Sequence, residues 1–189
     1  REFRPFINDT FWAFTLSILA FYAAAFFLRR KEDALQPWFF PAMMLTAGVL
    51  TLWLYSGEIV SAAGSKIIEA HGRGATFLEL RNIGNARSLG LVGLWTAYGL
   101  GMLFVGTRKN WDWLRVTAYG LMAAACGLTV VLLNHGYAMV RTDSSNPMVN
   151  YAFGGFAICT VGMYLAARII AENRDKLHSF ESFVCTGAV

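Results

Sequence analysis

The chain lacks the short motifs that mark familiar catalytic centres. There is no G-x-S-x-G, no H-E-x-x-H, no P-loop and no His/Asp pair placed beside a serine. Cysteine is scarce, with three in the chain and neither a C-x-x-C nor a Cys/His cluster, so the pattern of a zinc or dithiol centre is missing. Cys126 and Cys159 fall inside apolar runs and read as small core residues, and Cys185 lies in the tail. Charge is scarce too. Asp, Glu, Lys and Arg make up 15% of the 189 residues, and the net charge of +4 is spread over loops rather than gathered into a patch. That distribution speaks against a nucleic-acid partner.

What the chain has instead is apolar length: 56% of its residues are hydrophobic. A helix needs about 20 apolar residues to cross a hydrocarbon core of roughly 30 Å. Five segments meet this, namely Phe11–Leu28, Trp38–Ser56, Ser88–Gly106, Leu114–Leu133 and Tyr151–Ala171. They show no apolar/polar alternation, which argues against strands. The expected fold is all-α: a polytopic membrane bundle of five transmembrane helices. The first residue is Arg1 rather than Met, so the chain is read as processed or as a piece of a longer protein. The first helix follows a polar stretch with no small-residue cleavage site, unlike a signal peptide.

The first apolar segment is echoed by the last. At a constant offset of 142 residues, Pro5 falls on Pro147, Asn8 on Asn150, Phe11 on Phe153, Phe14 on Phe156 and Tyr22 on Tyr164. This is the mark of an internal repeat. It divides the chain into a four-helix unit, 1–142, and the opening helix of a second unit plus a tail, 143–189. Within the first unit, 57–87 is the one substantial segment not expected to span. Lys66-Ile67-Ile68-Glu69 and Phe77-Leu78-Glu79-Leu80, separated by Gly72 and Gly74, read as two short amphipathic helices, either lying at the outer interface or folded over the helix ends.

Loop charge sets the expected orientation. Nine basic residues (Arg29, Arg30, Lys31, Arg108, Lys109, Arg115, Arg168, Arg174 and Lys176) flank one side in short segments. Three (Arg1, Arg4 and Arg141) flank the other. The positive-inside rule then places the N-terminus outside and the C-terminus inside. Both Pro-x-x-Asn segments fall on the outer face, which makes the repeat parallel rather than inverted. Trp38, Phe39 and Phe40, and then Trp111 and Trp113, stand where helices should meet the headgroups.

Polar groups near membrane depth each need a reason. Glu58 ends the second apolar segment, and Arg81 and Arg87 precede the third, so an ion pair among them is one reading and a water-solvated carboxylate the other. His135 closes the fourth segment, either as a hydrogen-bonded interface residue or as a ligand. Arg115 and Arg168 are expected to snorkel. Asn8, Asp9 and Asn150 read as helix caps. For packing, the glycine-rich third helix (Gly90, Gly93, Gly99 and Gly101) is expected to be the most buried, laid against the fourth. Pairs such as Ala97/Gly101 and Gly162/Ala166 would allow close approach.

The run from Asn85 to Leu100, with Trp95-x-x-Tyr98, continues to Gly106, a basic loop and a Leu114-Arg115 helix start. Together with the Ser56-Gly57-Glu58 end and the Asn-x-x-Phe openings at Asn8 and Asn150, it resembles a widespread bacterial family of large polytopic membrane proteins defined only as a domain of unknown function. The resemblance implies strings of helix pairs in a bacterial cytoplasmic membrane and brings no catalytic residues. The expectation is a non-catalytic scaffold or accessory subunit without cofactor, surrounded by lipid and other membrane subunits or further repeats. A transporter or channel module, and a fragment of a lipid- or glycan-modifying enzyme, are the alternatives.

Overall fold

The computed structural model describes residues 8–29, 38–137 and 151–173. They form five helices and no strand: α1 (Asp9–Arg29), α2 (Phe39–Gly72), α3 (Phe77–Lys109), α4 (Asp112–Tyr137) and α5 (Tyr151–Ala171). The last four are long and apolar enough to cross a membrane, and α1 carries a shorter apolar run, Phe11–Phe27. Serine and threonine are tolerated along these helices because their hydroxyls donate back to the carbonyl four residues earlier. Thr15 donates to Phe11, Thr51 to Ala47, Thr107 to Leu103 and Thr117 to Trp113, so these hydroxyls are satisfied within their own helix. Pro5, Pro147 and Asn150, on which the expected repeat rests, lie outside the described residues.

The helix ends are chemically specified. At the end of α2, Gly74 adopts φ +74°, its N–H donates to the His71 carbonyl at 3.0 Å, and Ala75 N–H donates to the Ala70 carbonyl at 3.0 Å. This is a Schellman closure with glycine in the left-handed position. The next helix starts at once, with Thr76 as its cap: the Thr76 hydroxyl accepts from Glu79 N–H at 3.4 Å, in a Thr-x-x-Glu arrangement. The end of α3 repeats the Schellman pattern with Asn110, φ 56°, in place of glycine. There Trp111 N–H donates to the Gly106 carbonyl at 2.8 Å and Asn110 N–H to the Thr107 carbonyl at 3.4 Å.

One expectation is corrected here. Residues 57–87 are not two separate interfacial helices. α2 runs through Gly57 to Gly72 and has 34 residues, while α3 begins at Phe77 and has 33. At 1.5 Å per residue each is about 50 Å long, well beyond a hydrocarbon core of roughly 30 Å. A Cβ added at Gly57 would touch nothing within 4 Å, so this glycine marks no turn. A lone glycine costs a helix about 1 kcal/mol, too little to stop it. The break at Gly72–Gly74 is where the sequence reading put it.

The chain divides into two compact units, Arg1–Arg87 and Ser88–Val189. In the first, α1 lies antiparallel to α2. Phe11, Ile18 and Leu54 form its core with Tyr22 and Leu50 against them, and the Phe11 and Tyr55 rings meet edge to face at 6.3 Å. In the second, the 88–109 part of α3 packs with α4 and α5 around Leu103, Ala118, Met122, Ala166 and Ile170.

Small residues set the close contacts of this second unit, but not all on the face expected. A Cβ at Gly99 would lie 2.8 Å from Met122 Cγ and 3.4 Å from the Ala118 carbonyl, so Gly99 does face α4. One at Gly106 would lie 3.2 Å from the Arg115 backbone nitrogen. Gly162 of α5 is pressed against the Thr96 methyl of α3. Gly93 instead has only Ile158 of α5 near it, and Gly101 has nothing within 4 Å. The glycines of α3 thus face two directions, since positions 93 and 101 share a stripe that 99 and 106 do not. Nor is α3 the most buried: 33% of the apolar stretch of α4 is buried against 28% for α3.

Two substitutions separate these environments. Gly99→Leu must displace Met122 and is expected to destabilise by about 1–3 kcal/mol through overpacking, read as a lower midpoint in detergent unfolding. Gly101→Leu should leave the midpoint unchanged.

Candidate functional site

Glu58 is the buried acid of the first unit, 7% exposed. Its neighbour is not the arginine pair that the sequence suggested. Asn8 Nδ2 donates to Glu58 Oε1 at 3.1 Å, and Asn8 Oδ1 accepts from Phe11 N–H at 2.7 Å. The same side chain therefore caps α1, as expected, and ties its start to α2. The carboxylate also lies by the N-terminal end of α1, where the helix dipole favours negative charge. Among the described residues no ion pair joins Glu58 to Arg81 or Arg87.

The physical reason is the unbroken α2: about 22 Å of helix, at 1.5 Å per residue, separates Glu58 from the turn at residues 73–76, and Arg81 and Arg87 come only after that turn, in α3. Arg81 is half-buried, and its Nε has no hydrogen-bond partner among the described residues. Arg87 is exposed. Arg73 takes the place proposed for them: it bridges Glu69 on α2, at 4.0 Å, and Glu79 on α3, at 3.9 Å. All three are open to solvent, so this clasp contributes little stability. His135 lies in the last turns of α4, and its side chain is outside the described residues. Within the first unit Glu58 joins Asn8, while Arg81 and Arg87 lie on α3 beyond the turn.

Sequence reasoning missed a second polar centre. Arg115 was expected to snorkel, yet it is 1% exposed. It is folded under the α3–α4 corner, where its Nη1 donates to Asn110 Oδ1 at 3.2 Å and its Nη2 pairs with Asp112. Asn110 is the left-handed residue that ends α3, and Gly106 gives the arginine stem room. The corner and the arginine specify each other. The available signal was an asparagine between two apolar runs, followed two residues later by an aspartate. Arg168, by contrast, does reach solvent and pairs with Glu172 at 2.9 Å.

Chemically, neither centre resembles a reaction site. Glu58 offers one carboxylate held by Asn8, and no group of three or more metal-ligating side chains occurs among the described residues.

Asn8→Ala removes a cap, worth about 1 kcal/mol, and strips a partner from a buried carboxylate, worth about 1–3 kcal/mol more. Its unfolding midpoint should fall clearly below that of Asp9→Ala, whose residue is exposed. Arg115→Ala should cost on the order of 3 kcal/mol, as for one partner of a buried pair, while Arg168→Ala should leave stability unchanged within error. Equal losses for the two arginines would contradict the burial described.

Comparison with protein-family models, with curated proteins and with solved structures finds no match to this chain.

Proposed function

We propose that this chain is an integral membrane scaffold or accessory subunit of a larger membrane assembly, in a bacterial cytoplasmic membrane as the family resemblance implies. Its first residues lie outside and its last inside. One observation carries the reading: the α2–α3 hairpin extends beyond the length a bilayer needs and bears apolar side chains near its tip. Ile68 is 75% exposed and Phe77 66%, with Leu78 and Val60 exposed as well. From Gly57 to Gly72, α2 adds about 24 Å, and from Phe77 to Arg87, α3 adds about 17 Å.

These segments carry Glu58, Lys66, Glu69, Arg73, Glu79, Arg81 and Arg87, which suit an aqueous or headgroup layer rather than the hydrocarbon. Apolar side chains exposed there are unexplained by lipid and mark a protein contact. The partner is another membrane subunit, or a further repeat of the same protein, that covers the hairpin tip. Both polar centres serve this role structurally. The Asn8–Glu58 bond ties α1 to the base of the hairpin, and the Arg115 corner stiffens the other unit.

A photo-crosslinking side chain at Ile68 or Phe77, expressed in native membranes, should give a discrete protein adduct. The same probe at Trp53, exposed within the apolar part of α2, should give lipid adducts only. Protein adducts at Trp53 and none at the tip would overturn the reading. For the orientation, a membrane-impermeant thiol reagent added outside should label a cysteine at position 145 and spare one at position 109. The reverse pattern would invert the topology.

A further inference from the structure

The second unit carries an open, almost wholly apolar groove between α3 and α5. Its floor is the small-residue stripe Gly93, Ala97 and Gly101, and its opposite wall is Ile158, Val161 and Leu165. Added to Gly101, a Cβ would still meet no atom within 4 Å. The groove continues past Leu100 and Leu165 to Phe104, Arg168, Ile169 and Glu172. From Ala157 to Glu172 it follows α5 for about 22 Å, more than one leaflet's share of a hydrocarbon core of roughly 30 Å.

The two ends of the groove differ. At the Gly93 end the lining is apolar. The other end lies where α3 and α5 both finish, and it is basic. Arg108 stands 4.6 Å over the Phe104 ring, Lys109 follows it, and Arg168 projects from α5 at 67% exposure. Arg168 uses Nε to hold Glu172. Its terminal nitrogens have no partner among the described residues. Glu172 and Arg168 are the charged groups lining the groove, and Arg108 adds a second cation beside its Phe104 wall.

From this geometry we propose that the α3–α5 groove is a binding site for an anionic phospholipid. An acyl chain occupies the stripe over Gly93, Ala97 and Gly101, and the phosphate is held by Arg168 and Arg108 at the basic end. A helix of a second copy would match the apolar half but not the charged end, whereas a phospholipid is apolar along its length and anionic at one tip. Arginine suits the phosphate because its planar fork donates two parallel hydrogen bonds. The inference does not depend on the hairpin's having a partner.

Native mass spectrometry of the detergent-solubilised chain, titrated with phosphatidylglycerol or phosphatidylcholine of the same acyl length, tests the site. The expected result is one phosphatidylglycerol retained preferentially. Arg168→Gln and Arg108→Gln should each weaken it about fivefold, as for the loss of one basic group near an anionic lipid surface, without altering phosphatidylcholine adducts. Gly101→Leu and, as a second filling variant, Ala97→Leu should weaken both lipids while keeping every charge, with helicity by circular dichroism unchanged. Equal retention of the two lipids, or retention unaffected by the filling variants, would overturn the proposal. So would a dimer in the native spectrum that both filling variants abolish while phosphatidylglycerol preference persists.

Discussion

Close backbone approach at a few small residues is the constraint on which the second unit depends. In lipid there is no hydrophobic force between helices, because acyl chains are as apolar as leucine. Association rests on dispersion between well-fitted surfaces and on a few hydrogen bonds. Gly99 lets α3 settle on Met122 and Ala118, Gly106 lets it settle on the start of α4, and Gly162 admits Thr96. Around those contacts the core of Leu103, Ala118, Met122, Ala166 and Ile170 closes. The same geometry leaves the stripe through Gly93, Ala97 and Gly101 on another face, and so creates the open groove.

The main polar contacts gather where a helix starts or turns, and they hold neighbouring helices together. Asn8 caps α1 and reaches Glu58 with the same amide. Arg115 is folded beneath the asparagine that stops α3. Two Schellman closures, with Gly74 and Asn110 in the left-handed position, set both sharp reversals among the described residues. Between these joints, hydroxyls are returned to their own helix.

The helical class, the approximate spans and the turn at Gly72–Gly74 were legible in the sequence because apolar length and the glycine signal are local. Asn8 as a cap was legible for the same reason. The continuation of α2 through Gly57 was not. A Ser-Gly-Glu run looks like a helix end, yet Ser61-Ala62-Ala63 follows with good helix propensity, and nothing packs against Gly57 to turn the chain. With a break expected at Gly57, Arg81 and Arg87 are the nearest partners the sequence offers to Glu58. Its actual neighbour, Asn8, comes from antiparallel pairing of α1 with α2, a relation 50 residues apart in sequence. Arg115 was misjudged because snorkelling describes an arginine with a free route to water, and the α3–α4 corner closes that route.

The central claim is that α2 continues as an unbroken helix through Gly57 to Gly72 and that the chain turns only at residues 73–76. Nitroxide labels placed singly from Ser56 to Arg81 in liposomes, read for accessibility to oxygen and to a water-soluble nickel complex, test it most directly. The account predicts a helical period that passes through Gly57 without interruption, nickel accessibility rising beyond Glu58, and a single break at residues 73–76. A lost period at Gly57, or oxygen-dominated accessibility throughout 57–87, would contradict it.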